Sequence, residues 1–449
     1  MDKPEPETRN TQLETLKSSW DHKNTSSNLK PRTLALSLSK GRASNFKSPL
    51  TFLNLCRNFT TRNFATHENQ MKKHIKNPFE FGKIVGGGQF CNRTHELNEI
   101  RSYMLDSYSF WLYSPRRYGK SSLIHKAFAE TKGVITIYFD LYNVRSLDDF
   151  CKKYAALLAK HLFSWDQEVR DLLKTFTRYF KDLYPKVSFG TDGLPMFSLE
   201  KSNITHQLDV ETILNIPKQI NSGLNAPICI AFDEFQEIKR IDPFLIHWMR
   251  SAFQQHPSVS YVFLGSEQSL MEDIFTSSNS PFYEFATKMS LGPISHTDWL
   301  DFISENFKSS GFTIHTDILD HMLQISEGHP HFTQFFASVI FDLVRGGLNQ
   351  SDPEFKELWL NKIIQSQSII FQTLYDQLTN IQRLILTNIA VLGEEEELFS
   401  IKNKERYKLP ANSSIVAAIN SLIKQSLILK KNHRYHILNP VFKAWLKTI

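Results

Sequence analysis

The residues best equipped for chemistry stand in two short runs more than a hundred positions apart. The first is Ser114-Pro115-Arg116-Arg117-Tyr118-Gly119-Lys120-Ser121-Ser122, a near match to G-x-x-x-x-G-K-[ST] with Ser114 where the first glycine would stand. In such a loop the backbone N–H groups and the helix N-terminus wrap phosphate oxygens. Lys120 is then expected to reach the terminal phosphates, and the Ser121 hydroxyl to complete the coordination of magnesium. Gly119 lets the backbone approach without a Cβ, and Ser114 serves in its place if its φ is negative. The second run is Asp233-Glu234, at the end of the apolar stretch Pro227–Phe232. Asp233 is expected to hold the magnesium through water, and Glu234 to polarise the attacking water as general base. The plainer alternative is an acidic pair that caps the following helix. A third apolar stretch, Ser260–Leu264, ends in Gly265-Ser266. Ser266 is either a sensor beside the terminal phosphate or an ordinary N-cap for a helix from Glu267 to Asp273.

Strands and helices must bring these groups together. Tyr108–Tyr113 reads as a buried strand leading into the loop, and a helix follows to about Glu130. Residues 134–141 form a further strand pattern, followed by amphipathic helices over 147–163 and 167–184. Residues 185–206 look like an irregular excursion, a hairpin or insert. Alternating strands and helices predict right-handed crossovers and a mostly parallel sheet, with the triphosphate at its carboxyl edge. The fold class expected is therefore an α/β P-loop NTPase with helices flanking the sheet. The pattern from Ser295 to Asp376 is helical throughout.

Taken together, Phe90-Cys-Asn-Arg-Thr-His-Glu-Leu97, the Ser114–Leu123 run, Ile230-Ala-Phe-Asp-Glu-Phe-Gln236 and Phe263-Leu-Gly-Ser266 resemble the archaeal-type ATPase family. These are AAA+ proteins close to the STAND signalling NTPases and to origin-recognition-like ATPases. The resemblance runs from Asn77 to Ile449. It implies that residues 90–97 lie near the adenine and that Gly328-His329-Pro330 opens a helix of a lid subdomain, with Pro330 facing the nucleotide. The same three residues are also good helix punctuation. It further implies Arg250 as an arginine finger, with Lys288, Arg116 and Arg117 as weaker candidates and a structural role open for each. Without a finger from a partner, hydrolysis would be slow or conditional.

Near the C-terminus a helix from Asn380, a helix capped at Asn412, and a hairpin through Asn432-His433 spell a winged helix. Residues 380–449 carry 11 Lys and Arg against 5 Asp and Glu, concentrated at Lys430, Lys431 and Arg434 and around 402–408. That is a modest footprint for DNA. The recognition helix offers Asn412, Ser413, Asn420, Lys424 and Gln425 but no arginine, so contact with the ATPase or with a protein partner competes with DNA contact. Asn439 stands where the family usually shows an acidic residue. The glutamates 394–397 read as a solvated turn.

Composition bounds the rest. At 449 residues, with 41% apolar and 22% charged, two or three domains with real cores are expected. The divisions are 1–70, 71–294 (ATPase core), 295–376 (helical lid) and 377–449 (winged helix). Of the net charge of +6, residues 1–70 supply +5, with 11 Lys and Arg against 6 Asp and Glu. That segment reads as a basic tail, a transit peptide, or an extension outside the mature protein with Met71 as the natural start. The four cysteines (56, 91, 151 and 229) lack CxxC spacing, which fits a reducing, cytoplasmic setting. No stretch approaches a membrane span, and there is neither an HExxH nor a GxSxG run. The function expected is magnesium-dependent ATP hydrolysis coupled to a conformational or regulatory switch, alone or in a homo-oligomer. The alternatives are an ATP-dependent DNA-binding regulator and a scaffold that hydrolyses only after assembly.

Overall fold

The computed structural model describes residues 75–162, 184–189, 195–200, 207–221, 226–392, 405–406, 409–431 and 433–449. The expected tail over 1–70, all but the last residue of the helix expected over 167–184, the acidic turn at 394–397 and most of the basic stretch 402–408 lie outside these residues; Tyr184 itself begins a strand.

The sheet is built from β1 (Phe110–Tyr113), β2 (Ile135–Asp140), β5 (Ile228–Asp233), β6 (Val259–Gly265) and β7 (Thr287–Ser290), in the order β2-β5-β6-β1-β7. Every pairing is parallel, as the strand–helix alternation predicts. Strands β5 and β6 are buried along their whole length, which is why both read as unbroken apolar runs rather than alternating ones. Helices α1 (Thr94–Leu105) and α2 (Lys120–Glu130) cover one face, packing Ile100, Met104, Leu123 and Ile124 onto Ala231, Val262 and Leu264. The other face carries α3 (Leu147–Leu162), α4 (Gln207–Leu214) and α7 (Leu245–Phe253). There Phe232, Phe235, Phe263, Phe275 and Phe282 form an aromatic layer. The excursion after α3 is a hairpin, β3 (Tyr184–Phe189) against β4 (Pro195–Glu200). Short helices α5 (Ile216–Asn221), α6 (Ile238–Ile241) and α8 (Gln268–Phe275) complete this part.

The remainder is helical apart from one hairpin. Helices α9 (His296–Ser309), α10 (Thr316–Ser326), α11 (Pro330–Arg345) and α12 (Phe355–Asp376) share a core built on Trp299, Phe336, Phe341 and Trp359. The segment before α1 packs here too. Phe79 enters this core, and Asn77 donates to the Ser338 carbonyl at 2.9 Å.

Helices α13 (Asn380–Val391) and α14 (Asn412–Lys424), the hairpin of β8 (Ile428–Lys431) and β9 (Arg434–Ile437), and α15 (Pro440–Leu446) make the winged helix. Two caps refine the sequence reading. Helix α14 is preceded by Ala411 at the N-cap position, with no side-chain cap, so the expected Asn412 cap is not formed. Asn439, by contrast, accepts from the N–H groups of Val441 and Phe442. It thus supplies the N-cap that an acidic side chain would give at the same place.

Candidate functional site

The loop between β1 and α2 is tight, and two of its residues take left-handed backbone, Arg117 at φ 66° and Gly119 at φ 88°. At Gly119 a side chain would strain this conformation. Ser114 is fully buried and is not among the positive-φ residues, so a small residue suffices where the family pattern has glycine. Lys120 is buried. Its Nζ donates to the carbonyl of Ser114 at 2.9 Å and approaches that of Pro115 at 3.3 Å. Burial pulls its pKa down to about 8, against the opposing pull of Glu234 and Asp233.

The second run meets the first across the sheet edge. Ser121 Oγ donates to Asp233 Oδ2 at 2.8 Å, joining residues 112 positions apart. Asp233 Oδ1 accepts from the Glu234 N–H at 2.9 Å. A further donor arrives from β2, where the Tyr138 hydroxyl also bonds Asp233 Oδ2. Burial, followed by the Asp233 charge, pushes the phenol pKa strongly upward, so Tyr138 remains a donor.

Glu234 sits in left-handed backbone at φ 51°. Its Oε2 accepts from Ser266 Oγ at 2.8 Å and from the Gln236 amide. Strand β6 lies between β5 and β1, which carries Ser266 beside the acidic pair. The cap alternative for Ser266 is not what forms: the N-cap of α8 is Glu267, without a side-chain cap bond.

These groups border a cleft of about 470 Å³ whose lining includes Arg116, Arg117, Tyr118, Gly119, Lys120, Ser121, Ser122, Glu234, Ser266 and Pro330. Ser114 and Pro115 stand behind Lys120, and Asp233 behind Ser121. Arg250 does not line the cleft. Its guanidinium lies 4.7 Å from the Phe285 ring and bonds Gln254. Lys288 lies over Trp111 and pairs with Glu272.

The far end of the cleft is aromatic and belongs partly to the helical region. Phe81, Phe90, Trp299, His331 and Gln334 line it. Phe81 meets Phe335 at 4.8 Å and His331 at 5.9 Å, and the Gln334 amide donates to the Gln89 carbonyl at 3.0 Å. Arg93, in the stretch expected near the adenine, is buried and bonds Glu96 and the Gly292 carbonyl.

The two walls also touch. The Tyr118 ring lies 4.4 Å from that of His329, and Arg117 reaches His331 Nε2 at 3.3 Å. Because arginine only donates, that nitrogen must accept, and the imidazole is neutral. Burial accordingly depresses His329 to about 3 and His331 to about 4.

Gly328 cannot be replaced lightly. It has φ 68°, and a Cβ there would stand 2.4 Å from the Ile294 carbonyl oxygen. Its own carbonyl accepts from the Ile294 N–H and the Trp299 indole.

Sequence reasoning gave no role to Tyr138 or Trp299, and took His331 and Gln334 only as the start of the helix that follows Gly328-His329-Pro330. For Tyr138 the available signal was its parity with Asp233 on the sheet face. For His331 and Gln334 it was their place directly after the Gly328-His329-Pro330 run, and for Trp299 no local motif exists.

Comparison with known proteins agrees with this geometry. Residues 90–331 match the model of the ATPase domain predominantly from Archaea, and residues 369–448 that of a probable winged helix domain. Among solved structures the chain is similar to a Walker-type ATPase of Pyrococcus abyssi, at 18% identity and TM-score 0.54 over 80% of this chain and 96% of that one. It also matches the ORC2 protein of Aeropyrum pernix in its ADPNP–ADP complexes, at 11% identity and TM-score 0.47 over 83% and 98%. No curated protein sequence matches it significantly. A P-loop ATPase fold, a cleft lined by Lys120, Ser121 and Glu234, and a family match over more than half the chain lead to one identification: the protein is an ATP-binding ATPase that belongs to the family of ATPase domains predominantly from Archaea.

Proposed function

We propose that this chain hydrolyses magnesium-ATP as a STAND-like regulatory switch, with Lys120, Ser121, Asp233, Glu234 and Ser266 as the working residues. The observation that carries the reading is the 2.8 Å bond from Ser121 to Asp233. A hydroxyl that donates its proton to a carboxylate keeps its lone pairs for a metal ion.

Among the described residues no group of three or more His, Cys, Asp or Glu forms a metal cage. Magnesium in such sites is held by one or two protein oxygens, phosphate and water, so the donor set here fits it. When bound, the ion neutralises charge on the phosphates. Lys120 binds the terminal phosphates, the loop N–H groups orient them, and Glu234 takes the proton of the attacking water. Ser266 holds the Glu234 carboxylate in place.

The regulatory part rests on a continuous path out of the cleft. Tyr118 packs on His329, two residues after Glu327, and Glu327 pairs with Lys443 of α15 at 2.6 Å. A change at the phosphate loop thus has a physical route to the winged helix. Arg250, engaged with Phe285, serves as a finger only from a second copy, which makes hydrolysis dependent on assembly.

A second reading, ATP-dependent DNA binding, has one observation of its own: Lys430, Lys431 and Arg434 are exposed together on the wing. No helix among the described residues is long and apolar enough to cross a membrane. The unbridged, buried Cys91, Cys151 and Cys229 fit a cytoplasmic setting.

The test is turnover together with a size measurement in nucleotide. Glu234→Gln should retain ATP and lower hydrolysis by roughly 10²–10⁴-fold, the usual worth of a general base. Unchanged turnover would remove Glu234 from the mechanism.

A further inference from the structure

The Asp233 carboxylate is held by three donors, and they come from three different places. Ser121 belongs to the phosphate loop and its helix. The Glu234 N–H belongs to the same strand end as Asp233 itself. The third donor, Tyr138, lies on β2, 95 residues away in sequence.

Sheet register explains how Tyr138 reaches that carboxylate. Tyr138 pairs with Ala231 and Asp140 with Asp233. Directly paired residues point to the same face, and so do residues two apart on one strand. Tyr138, Ala231 and Asp233 therefore share the face that α2 covers. Ala231 is small enough to let the phenol run along the sheet towards the carboxyl edge. Its ring is held from the other side by His125 of α2, with centroids 4.3 Å apart. The side chain is placed by packing on both sides before its hydroxyl is used.

We infer that Tyr138 is a positioning residue for the magnesium site: its hydroxyl fixes the rotation of the Asp233 carboxylate so that Asp233 and Ser121 present their oxygens to one ion. This inference rests on the reading of the cleft as a magnesium-nucleotide site. Asp233 is buried, so a carboxylate oxygen that loses a donor gains no water in exchange. Without the phenol, the side-chain donor left to Asp233 is Ser121, the very group that must turn its lone pairs to the metal. Partners behind a metal-binding group typically contribute 10–100-fold to metal affinity. A tyrosine that merely filled space would lose nothing on becoming phenylalanine.

The experiment is equilibrium binding of a fluorescent ADP analogue to the full chain, titrated with magnesium chloride and repeated in EDTA. For Y138F the magnesium midpoint should rise about tenfold, with affinity in EDTA within twofold of wild type and the same melting temperature to within a few degrees. His125→Ala keeps the hydroxyl but frees the ring, and it should move the midpoint the same way by a smaller factor. That arm also decides the matter if Y138F does not fold. A midpoint within twofold of wild type in both variants overturns the inference alone. A wild type whose binding ignores magnesium, or a Lys120→Ala variant that binds as wild type does, overturns the site reading and the tyrosine inference with it.

Discussion

Two charged regions of this molecule are built on opposite plans. At the carboxyl edge of the sheet, Lys120 and Asp233 are buried, and with Glu234 they are tied to named partners by short hydrogen bonds. On the wing, Lys430, Lys431 and Arg434 stand in solvent, Lys430 at 5.9 Å from the Tyr435 ring. A buried charge must be matched by its surroundings or it unfolds the site, so each such residue is held in one arrangement. An exposed charge is held by little and contributes little to stability. The first region fixes the geometry of its charged groups, whereas the second presents little more than net charge.

The contrast is sharpest at Lys120. Lys120→Ala removes a buried ammonium that lines the cleft and can make charge-assisted hydrogen bonds to phosphate. Nucleotide affinity, read by equilibrium dialysis, should fall by roughly a hundredfold or more. Retained affinity would mean the loop is not the phosphate site.

A pH series tests the same lysine without mutation. In the free protein, burial depresses Lys120 to about 8. Phosphate binding favours the charged form and raises that value, so binding takes up a proton above pH 8 and none well below it. Affinity should be flat at neutral pH and then fall about tenfold between pH 7 and pH 9 from this one group. A flat profile through pH 9 would show that Lys120 stays charged in the free protein and is better solvated than its surroundings suggest.

Between the two regions lies the Glu327–Lys443 pair, partly exposed on both sides. Lys443→Met removes a contact of the kind worth about 0.2–1 kcal/mol. Glu327 immediately precedes the Gly328–Pro330 turn, and Pro330 lines the cleft. If the pair steadies that turn, nucleotide affinity falls about two- to fivefold, with a non-additive cycle against Glu327→Gln. Additive effects would leave α15 packed on the helical region but uncoupled from the nucleotide.

How much of this was legible in the sequence follows from what fixes each residue. The loop over 114–122 and the Asp233-Glu234 pair are local patterns at strand ends, and pattern alone placed them at the sheet edge. Ser266 was legible as a neighbour because strand order follows from topology. Its choice between sensor and cap was not, since that depended on where α8 begins. Tyr138, His331 and Gln334 owe their places to packing between segments distant in sequence. Phe81 reaches His331 only because the segment before α1 lies on α11. The winged helix was legible from its turn residues, whereas the cap of α14 shifted by one residue to Ala411, where no side chain caps. Thr379 with Gln382 forms the capping box of α13 instead, a three-residue spacing that a sequence does display.

The wing gives the smallest expected effect on the ATPase. Neutralising Lys430, Lys431 and Arg434 together removes charges that bond nothing in the cleft and bury little surface. Turnover and nucleotide affinity should stay within twofold of wild type, and each change should alter stability by less than about 0.5 kcal/mol. Duplex DNA is the readout that these charges would control under the DNA-binding reading. If the wing touches phosphate, the triple variant loses the low-salt gel shift, and its salt dependence weakens by roughly one contact per charge removed. If wild type gives no shift at low salt, DNA is removed from the function, and the exposed charges are surface only. A large loss of turnover in the same variant would be the more disruptive result. It would mean that an exposed, loosely held set of charges governs chemistry at a buried site, and the path through Lys443 and Glu327 would then have to carry far more than one ion pair supplies.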